Sequence, residues 1–167
     1  MAVFEPADVE QFAARVQPPA PLMGLDLGTK TIGVAACAGD QRVATGVETL
    51  ARKKFTQDAG RLVELIEARS VSGLVLGLPL NMDGTEGPRC QATRAFARNL
   101  ARIEGLAALP LLLWDERWST LTAERSLIEQ DVSRRKRAAV VDRQAAAVIL
   151  QAALDRLANV ARSPRQS

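Results

Sequence analysis

The stretch Leu22-Met23-Gly24-Leu25-Asp26-Leu27-Gly28-Thr29-Lys30-Thr31-Ile32-Gly33-Val34-Ala35-Ala36 decides how the 167-residue chain is read. Its first six residues are apolar or glycine except for Asp26. Alternation along such a strand places Leu22, Gly24 and Asp26 on one face and Met23, Leu25 and Leu27 on the other. Gly28 and Gly33 bracket a turn, and residues 32–38 read as the returning strand of a hairpin. A carboxylate in a core strand is costly to desolvate unless something cationic compensates it. Asp26 is therefore the first candidate metal ligand.

Working outward, Gly39-Asp40 signals a turn and residues 42–47 a third strand, which makes an antiparallel meander. The pattern then changes. Residues 55–69 carry Leu62, Leu65 and Ile66 at helical spacing. Gly73-Leu-Val-Leu-Gly-Leu78 is a short continuous apolar run, as expected of a strand buried on both faces. A loop follows over 79–88, then a helix over 89–103 stopped by Gly105. Residues 109–114 form another apolar strand that ends in Asp115-Glu116-Arg117. Ser119 or Thr120 can cap a helix reaching about residue 130. Residues 131–137 read as a basic linker, and 138–158 as the closing helix. Ahead of the meander, a short helix over 7–16 and Pro18, Pro19 and Pro21 suggest a stiff connector. The fold class is α/β with a mixed sheet. One domain over 22–160 is expected, with an N-terminal extension over 1–21 and a tail over 161–167.

Composition narrows the chemistry. The chain has 47% hydrophobic and 25% charged residues, which suits one globular domain. No apolar run approaches a membrane span, and Glu5, Asp8 and Glu10 break the pattern of a secretory signal. A cytoplasmic location is expected. There is no His and no Tyr, which excludes histidine acid–base catalysis and His-ligated zinc. Cys37 and Cys90 fit no metal-ligand spacing. A net charge of +3 permits a nucleic-acid partner without requiring one.

Three acids stand where packing alone would not place them. Asp26 lies late in its strand, Glu116 just past the end of another, and Asp142 near the start of the last helix. Asp142 shares a helical line with Ala146, Ile149, Ala153 and Leu157, so it belongs to the sheet-packing face. Ala145 and Ala146 let that helix approach the sheet closely, over Gly24. Taken singly, each acid has a plain reading as a turn residue, a solvated strand end or a helix-start residue favoured by the dipole. As a set, carboxylates converging from distant parts of a chain suit Mg²⁺ or Mn²⁺. Such ions support phosphodiester cleavage without histidine. Asp115 and Glu116 face opposite ways if the strand runs on, so only one of them can face Asp26.

The motifs Gly24-Leu-Asp26-Leu-Gly28-Thr-Lys30-Thr-Ile-Gly33-Val-Ala, Gly77-Leu-Pro-Leu-Asn-Met-Asp-Gly84, Asp115-Glu-Arg117-Trp-Ser119-Thr120 and Asp142-Arg-Gln-Ala-Ala-Ala-Val-Ile-Leu150 occur in this order. With them the chain resembles the YqgF/RuvX family of RNase H-like proteins, described as Holliday junction resolvases and as pre-16S rRNA maturation nucleases. The resemblance implies an RNase H-like fold with a five-stranded mixed sheet, order 3-2-1-4-5, flanked by helices. It implies that Asp26, Glu116 and Asp142 are the catalytic, metal-binding acids, and it favours Glu116 over Asp115. It further implies a nuclease that matures the 5′ end of precursor 16S rRNA, alone or on ribosomal particles, as a monomer or homodimer. The alternative within the resemblance is resolution of branched DNA.

Phosphates need holders as well. Arg134, Arg135 and Arg137, with Arg143 beside Asp142, put positive charge near the acids, and Lys30 and Arg117 lie nearer still. Contacts of this kind position a nucleic-acid backbone without reading its sequence. Asn81, in the loop after the Gly73–Leu78 strand, is expected to line the groove. Trp114 and Trp118 can stack bases, although core packing suits Trp114 better.

Overall fold

A computed structural model describes residues 1–119 and 134–162, with 134–141 described by backbone alone. In chain order the strands are β1 (Val3–Phe4), β2 (Leu22–Leu27), β3 (Thr31–Cys37), β4 (Ala44–Ala51), β5 (Gly73–Leu78) and β6 (Leu111–Asp115). The helices are α1 (Val9–Arg15), α2 (Phe55–Ala68), α3 (Pro88–Leu100) and α4 (Arg134–Arg162). Among the described residues the strands form one sheet in the order β1-β6-β5-β2-β3-β4. β2, β3 and β4 pair antiparallel, whereas β2–β5, β5–β6 and β1–β6 are parallel.

Without β1 this is the expected mixed sheet in the order 3-2-1-4-5. The correction is the sixth strand. Val3 and Phe4 run beside Leu111 and Leu112, and the Leu111 N–H donates to the Ala2 carbonyl at 2.8 Å. Two residues thereby satisfy part of an edge that β6 would otherwise expose. The segment expected as a connector also buries Val9, Phe12 and Val16.

Two cores follow from the alternation. Met23, Leu25, Leu27, Leu74, Leu76, Leu111 and Leu113 pack with the buried residues of α2 and α3. Leu22, Val75, Leu112 and Trp114 pack with Phe12 and with Ala146, Ile149, Leu150 and Ala153 of α4. Asp26 and Gly24 therefore look toward α4.

α4 comes very close to the sheet because glycines admit it. A Cβ at Gly24 would lie 2.7 Å from the Leu150 Cβ and 3.1 Å from the Ala146 carbonyl oxygen, as the small residues of α4 suggested. The helix also begins earlier than expected: residues 134–137 are its first turn, not a linker. Arginine and lysine are good helix formers, and no Gly or Pro interrupts 134–162. The helix expected to end near residue 130 lies outside the described residues.

Candidate active site

Asp26 is 3% exposed and sits in the central strand directly opposite Gly33 of β3. That glycine is needed for space. A Cβ there would overlap the Asp142 carbonyl oxygen and approach its carbonyl carbon to 2.6 Å. On the other side of Asp26 runs β5, with Leu25 paired to Leu76 and Gly77 next in line. A Cβ at Gly77 would lie 2.6 Å from Glu116 Oε1 and 2.7 Å from Ile149 Cδ1. Each neighbouring strand thus carries a glycine at the level of Asp26. One makes room for the Asp142 peptide, the other for the Glu116 carboxylate. These two glycines were read in the sequence only as turn and strand residues.

Asp115 has a different task. It is the last residue of β6, is 1% exposed, and lies on the α2/α3 face with Leu111 and Leu113. Its carboxylate accepts the Arg117 backbone N–H at 2.9 Å, which caps a single turn over Glu116–Trp118. The same carboxylate holds the Arg117 guanidinium, with Nη2 at 2.7 Å and Nε at 3.0 Å. Charge-assisted, two-pronged contacts of this kind fix geometry strongly. The Ser119 hydroxyl closes the turn on the Glu116 carbonyl at 2.8 Å. The turn swings Glu116 back over β5 on the α4 side while Asp115 stays on the other.

Arg117, expected as a phosphate contact, is thus already engaged. Its Nη1 also donates to the Met82 carbonyl at 3.4 Å, and its guanidinium packs where a Cβ of Gly84 would lie, 3.4 Å away. Gly84 has φ +89°, a conformation glycine adopts without strain. The Asp115 carboxylate beside it holds the Arg117 guanidinium proton above its ordinary affinity. The loop itself is tied internally by Asn81 Nδ2 to the Thr85 hydroxyl at 2.9 Å and by Thr85 to Asp83. Those Thr85 bonds hold the Asp83 carboxyl below its ordinary range.

The other expected phosphate holders divide by place. Lys30 is exposed in the β2–β3 turn, which Arg52 braces through the Gly28 carbonyl at 2.7 Å and its own N–H to the Lys30 carbonyl at 2.9 Å. Sequence reading did not single out Arg52. Arg143 is half-buried beside Gly46 of β4. Arg134, Arg135 and Arg137 lie on the backbone of α4 within its first turn, the end that carries Asp142.

Asp142 receives a hydrogen bond from the Thr31 hydroxyl. Among the described residues no three acidic or thiol groups stand close enough to form a ready metal cage. The acids nevertheless fit a hard divalent cation in donor type. All are oxygen donors, and the Glu116 carboxylate and the Asp142 peptide reach Gly77 and Gly33, the strand glycines at the level of Asp26.

Comparison with known proteins agrees with this architecture. The family model described as "RuvX: Holliday junction resolvase" matches residues 20–156. A relative from Rhodopseudomonas palustris strain TIE-1 is 65% identical over 142 residues, covering 85% of this chain and 87% of its own length. One from Ruegeria pomeroyi is 56% identical over 152 residues, covering 91% and 97%. Both are named "Putative pre-16S rRNA nuclease". Among solved structures, the yeast mitochondrial Holliday junction resolvase Ydc2 aligns with a TM-score of 0.53 at 12% identity, covering 92% of this chain and 85% of that one. Thermus thermophilus RuvC bound to a Holliday junction aligns with a TM-score of 0.51 at 11% identity, covering 84% and 97%. The two structures share the fold of this chain, which is RNase H-like, and the family model with the sequence relatives places the chain in the RuvX family.

Proposed function

We propose that this chain is a divalent-metal-dependent nuclease that hydrolyses phosphodiester bonds at the 5′ end of precursor 16S rRNA in the cytoplasm. One observation carries the reading: Glu116 and the Asp142 peptide are brought to the two sides of Asp26 through glycines at just those positions. The names of the close relatives supply the substrate class.

Asp26, Glu116 and Asp142 are the residues that would hold Mg²⁺ or Mn²⁺. When bound, such an ion supplies Lewis acidity and an activated water at the scissile phosphate. The protein's part is positioning. The β2 ladder fixes Asp26, the Asp115–Arg117 turn aims Glu116, and α4 seated on Gly24 and Gly33 fixes Asp142. Lys30, Arg143 and the arginines at 134, 135 and 137 hold the substrate backbone, a role that needs charge but no base contacts. Asn81 shapes the loop after β5 through Thr85.

A second reading, resolution of four-way DNA junctions, is favoured by the description of the matching family. Mn²⁺-supported cleavage of a precursor-rRNA end beside a four-way DNA junction, with Asp142→Asn as the blank, separates the two. Faster cleavage of the RNA is expected. Paired cuts in the junction by a species of twice the monomer mass would transfer the function to DNA.

A further inference from the structure

One surface next to this site is left unexplained by metal and phosphate binding. Trp118 ends the turn that carries Glu116 and is 53% exposed, although every other aromatic ring of the chain is buried or half-buried. It stands edge-on to Trp114, with ring centroids 5.4 Å apart. The two rings form one wall of a groove of about 710 Å³, whose opposite wall is α4 with Val148, Gln151, Asp155, Arg156 and Asn159. That size falls within the range of small-ligand clefts. Trp114 is 3% exposed, and its indole Nε1–H has no hydrogen-bond partner among the described residues. A buried donor left unpaired is unfavourable, and in a native protein it calls for an explanation.

Resting on the nuclease reading, we propose that this groove takes an unpaired nucleobase of the strand being cut, stacked on Trp118. The chemistry selects that occupant. A large aromatic face in water suits the π-face of any base, and an adjacent arginine suits the neighbouring phosphate. The Gln151 amide is spent on the fold, its Oε1 accepting from the Ala44 N–H and its Nε2 donating to the Arg42 carbonyl and to Asp155, so the stacking face and not an amide selects the occupant. The groove adjoins the turn that carries Glu116: Trp118 and Ser119, which end that turn, line it. The groove thus fixes the position of the strand relative to the acids.

The two tryptophans make the test direct. Tryptophan emission is followed while metal-free protein is titrated with short oligo-dT and oligo-rU strands, each beside an abasic strand of equal length. Base-bearing strands are expected to quench emission and abasic strands to leave it unchanged. Trp118→Phe should remove the quenching. Trp118→Ala should weaken binding of base-bearing strands by about fivefold to a hundredfold and leave the abasic strands untouched. Arg156→Gln should weaken both kinds of strand. The tighter of the dT and rU arms identifies the strand as DNA or RNA.

Quenching that survives in Trp118→Phe would overturn the proposal, as would equal weakening of abasic strands by Trp118→Ala. An emission shift driven by protein concentration alone, with a doubled solution mass, would also overturn it by giving the groove to a second copy of the chain. Absence of quenching with cleavage intact refutes the groove alone. Quenching without cleavage upholds the groove and refutes the nuclease reading.

Discussion

Asp26 has a neighbourhood shaped by what is missing on either side of it. The glycines at 33 and 77 do not serve turns: they are strand residues whose absent side chains are replaced by a helix peptide and a carboxylate. The two sites differ in what a methyl group would displace. At Gly77 it would meet the ends of two flexible side chains, Glu116 and Ile149, which can give way. Gly77→Ala should cost about 1–3 kcal/mol of stability, typical of mild overpacking. Displacing the Glu116 carboxylate by about 1 Å should lower kcat by about a hundredfold. At Gly33 the methyl would meet rigid helix backbone, so Gly33→Ala should lower the melting temperature more than Gly77→Ala does. Melting curves and cleavage rates on the two variants check both statements. A Gly77→Ala enzyme of full activity would separate Glu116 from the chemistry.

At the scale of elements, the β6 turn and the loop over 79–87 form one unit held by Arg117. Asp115 belongs to this unit as a staple, its carboxylate taken up by Arg117. Arg117→Ala should speed amide exchange across 81–87 and lower cleavage, and Arg117→Lys should restore little. A single ammonium cannot span both Asp115 oxygens and the Met82 carbonyl as a guanidinium does. Restoration by lysine would show that charge alone is required, as for a phosphate contact.

The far end of the same loop is pinned by Arg94, which bridges Glu86 at 2.6 Å and Glu5 at 2.7 Å. Arg94 holds the Glu86 carboxyl below its ordinary range, and Thr85 does so for Asp83. A depressed folded-state value adds stability that is fully present above the ordinary carboxylate range and is lost as pH falls through the depressed value. Exchange in 81–87 should therefore rise below about pH 4, before the β2 and β5 amides lose protection. Simultaneous exchange of loop and strands would contradict this local release.

For the whole molecule, period and punctuation made most of the fold legible. The apolar run at 73–78, the meander from 22 to 47 and the helical spacing of Leu62, Leu65 and Ile66 depend on local pattern, and the structure follows them, except that the third strand of the meander, expected over 42–47, runs over Ala44–Ala51. β1 was not legible, because two residues carry no period and their pairing with β6 joins positions more than a hundred residues apart. The first turn of α4 was hidden by charge: an arginine-rich run resembles a linker in composition but suits a helix in propensity. At the site, the acids could be picked out from their ill-fitting positions. The choice between Asp115 and Glu116 needed the turn after β6, and the two admitting glycines needed the packed helix. Neither is written in local sequence.

The central claim is that Asp26 serves chemistry and not folding. The measurement closest to it is Mn²⁺-supported cleavage of a precursor-rRNA end by Asp26→Asn, read beside the variant's melting temperature and its affinity for the same RNA without metal. The account predicts that cleavage is abolished while melting temperature and affinity stay at wild-type values, because the amide keeps the shape of the side chain and removes only its charge. Wild-type cleavage by Asp26→Asn would contradict the account, and so would a loss of cleavage fully matched by a loss of fold.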